Sequence, residues 1–287
     1  MMHVGLIGNG EISNAHKEAY RDLRGPLMQD IKLGLQVYAV REAFAEDPVA
    51  TLKRVADMGY QGVELNYWTM NHEPQFYVDA LKEAGLACFS CMAVWKNLQP
   101  DALDQTIRTC KVLGAPSMVI GAVDATRLKE DPAYPKEAVD YMNYLLERLE
   151  KEGIRTGYHS HDMDSMKVEG EKSFYESVFE NTPERFSMVM DTGNTQAGGD
   201  DPLKLMKQFP GRSPILHLKG YSKQTDYVTP MWESEMDWPA LLTTAIDQCN
   251  TRTMIIEFGK RGDYEPFEWA EKSLQWLKGQ LQLLGRM

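Results

Sequence analysis

His159, Asp191, His217 and Glu257 are the residues of this chain best suited to do chemistry, because each ends a short apolar run where a polar side chain is costly to place. The runs read Thr156-Gly-Tyr-His159-Ser-His161-Asp162, Met188-Val-Met-Asp191, Ile215-Leu-His217-Leu-Lys219 and Met254-Ile-Ile-Glu257-Phe258. Two imidazoles and two carboxylates would offer a divalent ion a mixed N/O site with positions open for substrate oxygens; Mn²⁺, Co²⁺, Zn²⁺ and Fe²⁺ all suit it. Taken singly, a strand-end His or Asp is more often a loop cap or a hydrogen-bonded polar group than a ligand. Four on successive strand ends make a constellation. Side chains alternate along a strand, so His159 and His161 share one face, as do His217 and Lys219. His161 is therefore a rival to His159 for the first ligand position.

Such residues need a scaffold that brings four strand ends to one place. Short apolar or β-branched runs at 32–38, 62–66, 87–92, 117–121, 155–161, 187–191, 215–219 and 254–258 alternate with amphipathic stretches near 48–58, 74–84, 101–113, 135–152, 171–180, 202–208, 238–248 and 266–283. Asp47-Pro48, Asp201-Pro202 and Asp237-Trp238-Pro239 punctuate helix starts, while Gly59, Gly85, Gly114 and Gly153 stand where helices should stop. Eight βα units predict a (β/α)8 TIM barrel spanning 31–287, with reactive groups at the C-terminal ends of the strands. Residues 1–30 precede it as an N-terminal extension. Its Gly8-x-Gly10 turn lacks the βαβ unit of a Rossmann domain, so no nicotinamide binding is expected, and the segment should pack on the barrel or on a neighbouring subunit.

Bulk properties narrow the partners. Lys and Arg number 31 against 42 Asp and Glu, and a net charge of −11 argues against nucleic acid. Cys88, Cys91, Cys110 and Cys249 lack zinc-ribbon spacing and read as buried free thiols. No run approaches a membrane span and no signal-peptide pattern is present, so a cytoplasmic protein with no membrane partner is expected.

From about Lys32 to Gln280 the chain resembles the sugar phosphate isomerase/epimerase superfamily, the xylose-isomerase-like barrels. The resemblance is carried by Leu33-Gly-Leu-Gln-Val-Tyr38-Ala-Val-Arg41, Gly59-Tyr-Gln-Gly-Val-Glu64, Gly157-Tyr-His159-Ser-His161-Asp162, Met190-Asp191-Thr-Gly-Asn194 and Leu216-His217-Leu-Lys219. It implies an ion at the barrel mouth held by strands 5 to 8, with Asp191, His217 and Glu257 on the last three family positions. His159 stands where the family usually has Glu. Other departures are Ser160 for Asn and Gly220 for Asp, and an acid recurs at Asp164. The opening His3-Val-Gly-Leu-Ile-Gly-Asn-Gly10 and its continuation to Tyr20 resemble the start of Gfo/Idh/MocA sugar dehydrogenases. AP endonucleases share the barrel, but they add His and Glu ligands from earlier strands and a basic face. Here strands 3 and 4 end in Cys91-Met92 and Ile120-Gly121, which sets that reading aside.

The resemblance implies a divalent-metal-dependent isomerase or epimerase of a sugar or keto-sugar working through an enediolate, with Mn²⁺ the expected ion and Mg²⁺ also admitted. Glu257 is the leading acid/base and His161 the second, its imidazole having an ordinary pKa near working pH, and Lys219 would neutralise an oxyanion. Elimination, as in inosose dehydration or cleavage of a 3-keto- or C-glycoside, is the alternative outcome; a non-catalytic carbohydrate-binding barrel is the second. Glu64 and Asn194 are candidates to contact substrate, with a barrel-mouth salt bridge the other reading of Glu64. Tyr38, Trp68, Trp95 and Trp232 offer aromatic planes to a sugar, against ordinary packing. Gly259-Lys-Arg-Gly262 is a candidate phosphate loop. A small carbohydrate is the expected partner, and a homo-oligomer is compatible with this fold.

Overall fold

In a computed structural model the described residues are 31–259 and 264–287. The extension at 1–30, with its glycine turn, and residues 260–262 of the candidate phosphate loop lie outside them. Residues Ile31–Met287 form one compact unit.

Eight parallel strands occupy the expected places: β1 (Lys32–Gln36), β2 (Gly62–Asn66), β3 (Ala87–Ala93), β4 (Ser117–Ile120), β5 (Arg155–His159), β6 (Ser187–Val189), β7 (Ile215–Leu218) and β8 (Thr253–Ile256). Neighbours pair in sequence order from β1 to β6, and β1 pairs β8, which pairs β7. The remaining seam, β6 to β7, is closed by one parallel bridge between Asp191 and His217. A (β/α)8 barrel results.

Helices start where Asp and Pro predict. Asp47, Asp201 and Asp237 each accept backbone N–H groups from the first turn of the helices Pro48–Asp57, Pro202–Gln208 and Trp238–Gln248. Short helices at Arg41–Glu46, Ala125–Glu130 and Thr192–Gly198, and a hairpin of Lys167–Glu169 with Lys172–Ser173, are additions the periodicity does not announce. Six of the eight strands end one or two residues earlier than expected, among them β5 and β6. β5 stops at His159 because the His161 N–H is taken by the Asp164 carboxylate at 2.7 Å, and β6 stops at Val189 because Asp191 caps the next helix.

Apolar packing comes in two layers. The larger lies between sheet and helices, where Leu35, Leu65, Tyr158, Met188, Leu218 and Ile256 are buried. The smaller fills the barrel axis with Phe89, Met92, Val119, Val189, Ile215 and Ile255. Val189, Ile215 and Ile255 stand two residues before Asp191, His217 and Glu257, so the polar cluster rests on an apolar plug. The four cysteines are free, and three are buried. No described helix is long and apolar enough to cross a membrane.

Room for the Phe89 ring comes from glycine. A Cβ at Gly62 would lie 2.6 Å from both the Ala87 carbonyl oxygen and the ring. Gly62→Ala should therefore overpack the axis and cost about 1–3 kcal/mol in urea unfolding, with Phe89→Leu in the same chain recovering part of the loss. An unchanged midpoint for Gly62→Ala would contradict this packing.

Candidate active site

The seam between β6 and β7 is where the site begins. The His217 N–H donates to the Met190 carbonyl at 2.8 Å, which sets His217 beside Asp191. The Asp191 N–H donates to Ser160 Oγ at 2.8 Å, and that hydroxyl also pairs with Thr195 Oγ1 at 2.9 Å. Asp191 then divides its carboxylate: Oδ1 accepts the Asn194 N–H at 2.8 Å and caps the helix Thr192–Gly198, and Oδ2 is left for the cluster. Gly193 permits that helix to lie against the end of β7, since a Cβ there would meet the Gly220 carbonyl at 2.7 Å and Lys219 Cγ at 2.8 Å.

His159, Asp191, His217 and Glu257 converge, each offering one ligand-type atom within 4.8 Å of the others. His217 Nδ1 lies 2.7 Å from Glu257 Oε2; His159 Nε2 lies 3.3 Å from the same oxygen and 3.7 Å from Asp191 Oδ2. Lys219 Nζ sits 3.0 Å from Asp191 Oδ2 and 2.9 Å from Glu257 Oε1, and donates to Asn194 Oδ1 at 3.0 Å. On the other side of His217, Nε2 faces Glu64 Oε1 at 3.3 Å, while Glu64 Oε2 accepts from Ser90 Oγ at 2.5 Å.

Burial and charge oppose each other at every one of these groups. Burial lowers the pKa of His217, but Glu64 and Glu257 more than offset it and bring it up to about 10. His159 is likewise raised against its burial, mainly by Glu257. Burial alone would raise the carboxylates, yet Lys219 and His159 hold Glu257 well below the usual range and Asp191 below its own. Lys219 is raised despite burial by Asp191 and Glu257. His161 has no such carboxylate contact, and burial together with His159 pulls it down to about 3. The ordinary imidazole pKa expected from sequence does not hold there: the ring is neutral.

The donor set fits a divalent ion. Both ring nitrogens of His159 are buried without a hydrogen-bond partner among the described residues. Buried polar atoms are rarely left so, and two nitrogens with two carboxylates match a borderline divalent cation. His217 would present Nδ1 to the ion, as its Nε2 faces Glu64.

Above the cluster opens a cavity of about 520 Å³. Tyr38, Trp68, His159, His161, Asn194, Lys219 and Glu257 line it. Glu64 is not among the lining residues: it is fully buried against His217 and Ser90, the salt-bridge arrangement. Trp95 is also displaced from its expected role, because it opens a 3₁₀ turn and packs edge-on against Tyr134 and Tyr141, leaving the wall to Val94. Trp232 packs edge-on against Tyr264 and Trp269. Asn194 reaches the cavity with its amide engaged, donating to the Ser160 carbonyl at 3.1 Å and accepting from Lys219.

Sequence reading passed over several residues. Gln36, Asn66 and Met92 line the cavity from β1 to β3, and the alternation that marks His217 and Lys219 would have marked Gln36 and Asn66, two residues beyond Gly34 and Glu64. Asp164 is fully buried, accepts from Tyr158 OH at 2.8 Å and from the His161 N–H, and so fixes the His161 backbone; burial pushes its pKa up to about 7.

Among known proteins, inosose dehydratase 2 of Bacillus cereus is 25% identical over 123 residues, a stretch that spans 41% of this chain and 40% of that protein. A sugar phosphate isomerase/epimerase of Parabacteroides distasonis superposes with a TM-score of 0.73 at 19% identity, covering 86% of this chain and 98% of the other. The IolI protein, solved with a zinc atom, superposes at 0.64 with 15% identity over 87% of this chain and 96% of its own. At such identities the structural likenesses concern the fold. Residues 52–280 match the family described as the xylose isomerase-like TIM barrel, and the chain belongs to it.

Proposed function

We propose that this chain is a divalent-metal-dependent isomerase or epimerase acting on a sugar or keto-sugar, with His159, Asp191, His217 and Glu257 as ligands and Mn²⁺ as the ion. The observation that carries the reading is the convergence of those four groups at the floor of the cavity, with His159 and Glu257 both joining the cluster and lining the opening. When bound, the ion would supply the Lewis acidity that polarises a substrate carbonyl and acidifies the neighbouring C–H.

The protein's own groups do the rest. Glu257 divides its oxygens, with Oε2 turned to His159 and His217 and Oε1 to Lys219. Held ionised by Lys219, it takes the proton from carbon. Lys219 lines the cavity as an ammonium and stabilises negative charge on the substrate oxygen as it develops. His161, neutral and facing the cavity, holds a substrate oxygen or passes a proton between oxygens. Return of the proton by Glu257 to the adjacent carbon gives the isomer, whereas delivery of a proton from the other side of the cavity to the opposite face of the same carbon gives the epimer. If a β-substituent departs first, the same abstraction ends in elimination, an outcome supported by the likeness to an inosose dehydratase.

Stripping the protein with a chelator, restoring Mn²⁺ and screening ketoses, inososes and 3-keto-glycosides in D₂O tests this reading. Turnover should follow the metal, with deuterium entering at the carbon beside the carbonyl. Turnover indifferent to metal would refute it. His161→Ala should keep the ion and lower kcat by about 10²–10⁴-fold, whereas His159→Ala should lose affinity for the ion; the opposite pattern would exchange their roles. Because Glu64 orients His217 through Nε2, Glu64→Gln should weaken Mn²⁺ binding by about 10–100-fold in calorimetric titration, and equal affinity would deny Glu64 that role.

A further inference from the structure

The wall opposite the charged cluster has no assigned task. Asn66, the last residue of β2, stands across the ring from β6. Its side chain is fully buried from bulk solvent yet lines the cavity, and neither Oδ1 nor Nδ2 has a hydrogen-bond partner among the described residues. Beside it on β1, Gln36 is 2% exposed and also lines the cavity. Gln36 is half-committed: Oε1 accepts the Tyr38 N–H at 2.6 Å, but among the described residues Nε2 meets only Met92 Sδ at 3.8 Å, a weak acceptor.

A buried carboxamide with both ends unpaired among the described residues is costly in the folded protein. The arrangement makes sense if a ligand completes it. We propose that Asn66, supported by Gln36, is the subsite that reads hydroxyl groups on the far side of an uncharged sugar ring and so determines substrate affinity and selection, not the chemical step. An amide offers one acceptor and two donors without net charge, which matches a pair of neighbouring hydroxyls, each able to donate and to accept. A carboxylate or phosphate would gain nothing from the acceptor oxygen. The ligand class rests on the sugar reading above; the unpaired state of Asn66 does not.

The test uses the full chain loaded with Mn²⁺, in wild type, Asn66→Leu and Asn66→Ser. Its first readout is thermal unfolding without sugar. Asn66→Leu replaces an orphaned amide with apolar bulk and should unfold at or above the wild-type temperature, whereas a drop of more than about 3 °C would mean that the amide serves the fold and would overturn the inference. The second readout is turnover of whichever of D-fructose, scyllo-inosose and methyl 3-keto-α-D-glucopyranoside the wild type converts fastest. Asn66→Leu should raise KM by about 10–100-fold with kcat within about threefold, and Asn66→Ser should fall between, since the hydroxyl keeps part of the contact. A KM within about twofold of wild type, or a loss confined to kcat, would also overturn it. If the wild type converts none of the three, the sugar reading fails, and the unfolding comparison still decides whether Asn66 is reserved for a ligand.

Discussion

Three carboxylates, Glu64 and Asp191 fully buried and Glu257 partly so, share the floor of one barrel, and the groups around them compensate that charge. Removing ions from water is expensive, and like charges at close range raise the cost further. Lys219 bridges two of the carboxylates, and His217 lies between Glu64 and Glu257. The imidazoles are raised against their burial for the same reason. A divalent cation among these groups could take over part of that compensation.

That electrostatic demand is met by residues that also build the barrel. Asp191 spends one carboxylate oxygen on a helix cap and its backbone on the bridge that closes the β6–β7 seam. Ser160 receives the Asp191 N–H, and Thr195 on the capped helix returns to Ser160. Placement of Asp191 and His217 and closure of the barrel are thus one set of hydrogen bonds, and side chains so constrained are held in fixed positions. Glu64 extends the same logic below the cavity by holding the far nitrogen of His217. Farther from the charge the wall changes character, to the neutral amides of Gln36 and Asn66 and to Met92 and Val94, surfaces suited to hydroxyls and to the apolar face of a sugar.

The barrel was legible because its signals are local: strand alternation, Asp-Pro helix starts and glycine stops all act within a few residues. His159, Asp191, His217 and Glu257 could be singled out for the same reason, each being a polar residue that ends an apolar run. Non-local facts were not legible. Glu64 and Asn194 look alike as polar residues near strand ends, but the spatial approach of His217 and Ser90 turns the first into a buried partner, and Lys219 and the Ser160 carbonyl engage the second. Trp95 sits one residue beyond the wall because a 3₁₀ turn rotates it into an aromatic cluster, and no periodicity marks that rotation. The pKa of His161 likewise depends on its burial and on the charge of the His159 ring packed against it, neither of which the residue pattern reveals.

The central claim is that the four converging groups hold one divalent ion. Titration of Mn²⁺ into chelator-stripped protein, following free Mn²⁺ by electron paramagnetic resonance, tests it most directly. One ion bound per chain, abolished by Asp191→Ala combined with His217→Ala in protein that retains its far-ultraviolet circular dichroism, is the expected result. Absence of binding, or binding that the double variant leaves intact, would contradict the account.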